Sequence, residues 1–162
     1  MLGGAPGVGK SSVARRLLEL AASGPELLQW VDVDALWLHQ PWRVDERMTT
    51  MMQANLRAVA GHAARAGVDI LLITWVFQSA GMHRLVTSLL PPASTTVSVQ
   101  LHAGPDTWRR RFQADPERPG LNEFYQGRYA AAQETPADHI VDTDGRSPGE
   151  IARRVAAVIC LP

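Results

Sequence analysis

Lysine is nearly absent from this sequence. Sixteen side chains are basic, and Lys10 is the only one among them that is not arginine. Cysteine is as scarce: Cys160 stands alone, which excludes an internal disulfide and fits a reducing cytoplasm, the expected location. Its ordinary reading is a small apolar residue on the last helix. Neither sign of charge is in excess, 16 basic against 16 acidic residues, which argues against a general nucleic-acid binder. No stretch reads as a signal peptide, and no apolar run is long enough to span a membrane. There is no internal repeat and no low-complexity segment. The 162 residues suggest one domain, 1–162, large enough to bury a core.

What is present concentrates at the start. Gly4 to Ser11 fills every required position of G-x-x-x-x-G-K-[ST]. Gly4, Gly7 and Gly9 permit positive φ and let backbone N–H groups, Val8 and Gly9 among them, converge on one point. A helix starting at Lys10 would turn its N-terminal N–H groups, through Ser12, and its dipole toward an anion. In this pattern Lys10 reaches the β- and γ-phosphates of a nucleotide and the Ser11 hydroxyl ligates Mg²⁺. That the only lysine falls here makes a chance match harder to sustain. Val13, Leu17, Leu20 and Ala21 follow at helical spacing, and Gly24-Pro25 ends the run. Such a loop normally follows a buried strand of several residues. Only Met1 and Leu2 are available, so the first strand reads as truncated. The expectation is that the natural chain begins upstream of Met1, or that this start is misplaced.

Beyond the loop, strands and helices alternate. Leu27 to Asp32 reads as a strand. Asp45 to Arg65 reads as a long helix with Met48, Met52, Leu56, Val59 and Ala63 on one face. Val68 to Phe77 is an apolar run of the kind buried on both faces. Ala80 to Leu90 is a helix ended by Pro91-Pro92, and Thr95 to Leu101 alternates as a strand. Pro105 to Gln113 and Asn122 to Glu134 are helical, separated by a polar loop at 115–121 that reads as a short lid. His139 to Asp142 is a strand. Ser147-Pro148-Gly149-Glu150 is a capping box opening the last helix. The alternation predicts an α/β fold with a parallel sheet of about five strands covered by helices on both sides, and with the Gly4 to Ser11 loop the expectation is a three-layer P-loop NTPase fold.

Ligands of such sheets bind beyond the carboxyl ends of the strands. One strand ends in Val31-Asp32-Val33-Asp34. Two acids at i and i+2 share a face if the strand continues. One acid could join the Mg²⁺ shell and the other accept a proton from a substrate hydroxyl, unless both are simply solvated. The next strand ends in Thr74-Trp75-Val76-Phe77-Gln78 with no acid, which counts against a motor ATPase. N-K-x-D is absent, so a guanine reader is not indicated. Arg118, within the 115–121 loop, is placed to stabilise a moving phosphoryl group. Trp37, Trp42, Trp75 and Phe77 fall where an acceptor would lie, with His39, Gln40, Arg43 and Gln78 as polar contacts. Those aromatics either form an acceptor wall or pack the core. Trp30 and Trp108 are assigned to packing.

These residues resemble the small P-loop kinases, above all the shikimate kinase and gluconate kinase group, with chloramphenicol phosphotransferase a related case. Asp32-Val33-Asp34 is similar to the D-x-D of shikimate kinase, and Val33-Asp34-Ala35-Leu36 to the V-D-S-L of chloramphenicol phosphotransferase. The shikimate kinase comparison implies Asp32 as Mg²⁺ support, and both comparisons imply Asp34 as base. Arg110-Arg111 followed by Arg118-Pro119, and Val141-Asp142-Thr143 followed by Arg146 and Pro148, resemble the adenine and lid segments of shikimate kinase. The resemblance implies that Arg111 and Pro148 sandwich adenine beside Arg146, and that Arg128 binds substrate. It departs at Thr74-Trp75-Val76-Phe77, where shikimate kinase has the glycines that contact its substrate.

The sequence thus leads to an ATP- and Mg²⁺-dependent phosphotransferase acting on a hydroxyl of a small molecule. Lys10, Asp34 and Arg118 are its catalytic candidates; Asp34, Trp37, Arg43, Trp75, Phe77 and Arg128 face the acceptor. An antibiotic-modifying kinase and a nucleoside or nucleotide kinase are two forms of it. The expected partner is a small-molecule acceptor, with no nucleic acid or membrane, and the chain is a monomer or homodimer. From another class comes a nucleotide-binding protein that sequesters a ligand without transfer, similar in layout to tunicamycin-resistance proteins.

Overall fold

The computed structural model describes residues 1–161. Among them, five parallel strands form one sheet in the order β2-β3-β1-β4-β5. These are β1 (Leu2–Gly4), β2 (Leu28–Asp32), β3 (Ile70–Thr74), β4 (Val99–His102) and β5 (His139–Asp142). The helices are α1 (Lys10–Ala21), α2 (Glu46–Arg65), α3 (Ala80–Leu89), α4 (Pro105–Gln113), α5 (Glu123–Glu134) and α6 (Pro148–Val158). Short as it is, β1 lies at the centre. Leu2 pairs with Thr74 on one side, and Leu2, Gly3 and Gly4 pair with Val99, Gln100 and Leu101 on the other.

Side chains alternate across the sheet and fill two cores. On β3, Ile70 and Leu72 pack with α1 and α6, whereas Leu71 and Ile73 pack with α2 and α3. Sheet and two helical layers follow from that alternation. Helix starts are set by local capping: Asp45, Ser79 and Asn122 each accept from the backbone N–H three residues on, and Ser147 and Glu150 form the expected box.

Two strands are shorter than their apolar runs predict. The last rung of β3 on β1 is Trp75 N–H to the Leu2 carbonyl, while Gly3 and Gly4 pair only with β4. Trp75, Val76 and Phe77 therefore continue as buried chain outside the sheet. Likewise β4 pairs with its neighbours from Val99 onward, with Val99 N–H donating to the Met1 carbonyl, so it runs from Val99 and not from Thr95.

Candidate active site

The loop after β1 takes the shape its glycines permit. Gly4, Gly7 and Gly9 have φ of 135°, 83° and 110°. A Cβ on Gly4 would stand 2.7 Å from the Leu101 carbonyl oxygen, whereas one on Gly9 would meet nothing within 4 Å. Lys10 opens α1, and its Nζ donates to the carbonyls of Gly4 and Ala5 at 2.9 and 3.0 Å. Burial lowers its pKa to about 8; the charges of Asp34 and Asp32 oppose the shift, and Arg118 and Arg128 add to it. These five charges therefore share one neighbourhood.

The lowered lysine makes a prediction. Between pH 8 and 10.5 the unfolded chain holds a proton on Lys10 that the folded chain has released. Stability should rise with pH across that window. Urea unfolding of the ligand-free chain at both ends of it should show the rise, and Lys10→Met should lose that part of it.

Helix α4 braces the loop. The indole N–H of Trp108 donates to the Pro6 carbonyl at 2.7 Å, and its ring stacks on Tyr129 at 4.3 Å. Arg111 donates to Thr143 Oγ1 at 2.8 Å, to the Thr143 carbonyl at 2.9 Å and, more weakly, to the Val8 carbonyl at 3.4 Å. Trp108, assigned to packing on sequence, thus also fixes the loop. Its only signal is general: a buried indole seeks an acceptor. Trp108→Phe would leave the Pro6 carbonyl unpaired, and should cost about 1–3 kcal/mol in urea unfolding.

The expectation that Asp32 and Asp34 share a strand face is corrected. The chain leaves the sheet at Asp32 and turns through a 3₁₀ helix, Val33–Trp37, whose first turn Asp32 caps by accepting from Asp34 N–H at 3.0 Å. Both carboxylates still front the same cavity. Asp34 Oδ1 accepts from the Trp75 indole N–H at 3.0 Å. Burial, the largest influence, raises the Asp32 pKa; the Asp34 charge adds to it, and hydrogen bonds from Asp34 N–H and Thr74, with Lys10, oppose it.

The cavity measures about 1340 Å³. That exceeds the roughly 300–1,000 Å³ of an ordinary small-molecule pocket. Its floor is the loop from Gly7 through Ser12, including Val8, Gly9, Lys10 and Ser11. Arg111, Arg146 and Pro148 line the part next to α6, and Asp32, Asp34, Trp37 and Trp75 the part next to β2 and β3. Arg118 and Arg128 also border it. Arg118 is paired with Asp115 at 2.8 Å, and Arg128 lies 4.5 Å from the Phe124 ring. Arg146 is tied to Asp142 at 2.7 Å.

Four expected acceptor contacts fall outside the lining: His39, Gln40, Arg43 and Phe77. Phe77 is fully buried with its ring 4.4 Å from His83, because an apolar side chain leaving the sheet turns to the core. Arg43 is exposed and does not line the cavity; having no acidic partner, it stays in water. Gly4 belongs to β1 and precedes the floor. Sequence reasoning missed Val44, Met82, Phe124 and Tyr125, all of which line the cavity, since no spacing rule links them. No group of three or more His, Cys, Asp or Glu that could hold a metal occurs among the described residues. Nor is any helix among them long and apolar enough to cross a membrane.

No family model matches the sequence, and the search of curated proteins found no match. Solved structures are. A tunicamycin resistance protein of Deinococcus radiodurans superposes with a TM-score of 0.73 at 21% identity, over 99% of this chain and 94% of that one. A sugar kinase of Janibacter sp. HTCC2649 gives 0.72 at 16% identity, over 99% and 92%. Shikimate kinase of Aquifex aeolicus gives 0.58 at 16% identity, over 98% and 93%. The fold is that of the P-loop small-molecule kinases.

Proposed function

We propose that the protein is an ATP-dependent phosphotransferase that moves the γ-phosphoryl group to a hydroxyl of a small molecule. One observation carries this reading: Lys10 and Asp34 line one cavity, and the Asp34 charge acts on Lys10. A phosphate cradle alone would serve binding. A carboxylate beside it supplies the base that transfer requires. The kinase-like fold supports the reading in kind and leaves the acceptor open.

In this reading the triphosphate lies on the loop from Gly7 to Ser12, and the base reaches toward Arg111, Arg146 and Pro148. Lys10 exchanges its two carbonyl acceptors for phosphate oxygens. Ser11 on the floor and Asp32 beside β2 offer hard oxygen donors of the kind that would hold Mg²⁺, and the charge of Asp34 near Asp32 is what a cation relieves. When bound, Mg²⁺ neutralises charge on the β- and γ-phosphates. Asp34 takes the proton of the acceptor hydroxyl as its oxygen bonds to the γ-phosphorus. The bond from that phosphorus to the bridging oxygen breaks, and ADP leaves with the electron pair. Arg118 and Arg128 face the charge on the moving group.

The test is ADP release that depends on an added alcohol, followed across an acceptor panel. Release above the acceptor-free rate, lost in Asp34→Asn, is the expected result. Binding of both ligands with no phosphorylated product would instead make this a sequestering protein.

A further inference from the structure

The carboxyl ends of β2 and β3 hold a second polar arrangement besides the pair of Asp34 and Trp75. In the sheet register Asp32 stands opposite Thr74, and Trp30, earlier on β2, shares the face of Asp32. The Trp30 indole N–H donates to Thr74 Oγ1 at 2.9 Å. Trp30 is half-buried against the core below α1, with the Arg15 guanidinium 6.0 Å from its ring centre. Packing, its assignment on sequence, therefore leaves its N–H unexplained.

Thr74 is fully buried, so its hydroxyl must find its partners within the protein. A hydroxyl has one proton to give and lone pairs that accept. The indole occupies an acceptor position and leaves the proton to give. The group that receives it is the Asp32 carboxylate, the register partner of Thr74. The direction of this chain is fixed. Trp30 can only donate, ionised Asp32 can only accept, and the hydroxyl between them does both. Asp32 Oδ1 also accepts from Asp34 N–H at 3.0 Å. The carboxylate is thus held from the backbone and from a side chain, while it fronts the cavity whose floor carries Ser11. β3 has no acid of its own at this end, so its hydroxyl works through the carboxylate of the neighbouring strand.

We propose that Thr74 is a positioning residue for Asp32, and that Trp30 in turn aims Thr74. Together they hold the carboxylate in one orientation beside the phosphate loop, where it supports a divalent cation. The proposal rests on the reading of Asp32 as Mg²⁺ support. It does not depend on the transfer step.

The test uses the whole chain and reads binding alone. The Kd of ADP is measured by calorimetry with and without Mn²⁺, a cation that takes the same oxygen ligands as Mg²⁺. The ratio of the two constants reports the coupling of metal and nucleotide at the site. In Thr74→Val that ratio should fall about tenfold, as when a group behind a metal ligand is removed. Thr74→Ser keeps the hydroxyl and should restore most of it. Trp30→Phe should lower the ratio too. Combined with Thr74→Val it should lower it no further than Thr74→Val alone, since the indole acts through the hydroxyl. The metal-free Kd should stay the same in every variant, whereas a merely structural loss would move it. An unchanged ratio in Thr74→Val overturns the proposal. So does a Thr74→Ser ratio as low as that of Thr74→Val, a metal-free Kd that weakens as much as the metal-bound one, or losses at Trp30 and Thr74 that add. Asp32→Asn separates the two failures. If wild type gains nothing from Mn²⁺, or Asp32→Asn gains as much as wild type, Mg²⁺ support by Asp32 falls and this proposal falls with it. If Asp32→Asn loses the gain and Thr74→Val keeps it, only this proposal falls.

Discussion

Lys10→Ala should abolish the stabilisation that MgADP gives the wild-type chain. A ligand at a hundred times its Kd adds roughly 2.7 kcal/mol to the folded state. In a chain of this length that is a rise in Tm of roughly 5–11 °C. Lys10 is the only lysine, so no neighbouring ammonium can replace it. Its Nζ already rests on the Gly4 and Ala5 carbonyls, at the mouth of the cradle. The ligand-free variant should still melt cooperatively. It loses two hydrogen bonds, but it also loses a cation whose burial is unfavourable enough to bring its pKa to about 8. The effect is thus read as a difference, with and without nucleotide, and not from the melting temperature of one state. An equal rise in wild type and variant would show that the loop holds nucleotide without its lysine, and would remove Lys10 from the assignment.

The sequence made the phosphate loop legible because its determinants are local. Positive φ at Gly4, Gly7 and Gly9 and a helix opening at Lys10 depend on neighbours within a few residues. The same holds for the caps Asp45, Asn122 and Ser147, each of which bonds three residues ahead. Strand limits were less legible because a rung belongs to two strands. Nothing within Thr95 to Leu101 says that pairing with the neighbouring strands runs only from Val99. Alternation was also a poor guide past the end of β3. Trp75 and Val76 front the cavity and Phe77 does not, since outside the sheet no period of two fixes their sides. Asp32 and Asp34 reach one site for a reason other than the one their spacing implies: a cap and a 3₁₀ turn, not a continued strand. The bond from Trp108 to Pro6 spans 102 residues and was beyond any local rule.

Asp34→Asn should lower kcat by about 10²–10⁴-fold while leaving nucleotide affinity in place. The amide has the shape of the carboxylate, and its oxygen can still accept from the Trp75 indole. What it lacks is a second oxygen able to take a proton, so the loss is chemical and not structural. If Asp34 is the base, as proposed, Trp75 is the group that aims it. It sits where the chain leaves β3, at the carboxyl end of the sheet, and is nearly buried. By engaging Oδ1 it leaves Oδ2 of Asp34 without a protein partner among the described residues, free for a ligand hydroxyl. Trp75→Phe keeps an aromatic ring and deletes the donor. One such hydrogen bond to a charged group is worth about 1.5–3 kcal/mol, so kcat should fall roughly 10- to 100-fold, with KM moving less. The double variant separates two causes. If the indole acts through the carboxylate, Asp34→Asn with Trp75→Phe is no slower than Asp34→Asn alone. Losses that add would mean that the indole meets the ligand itself.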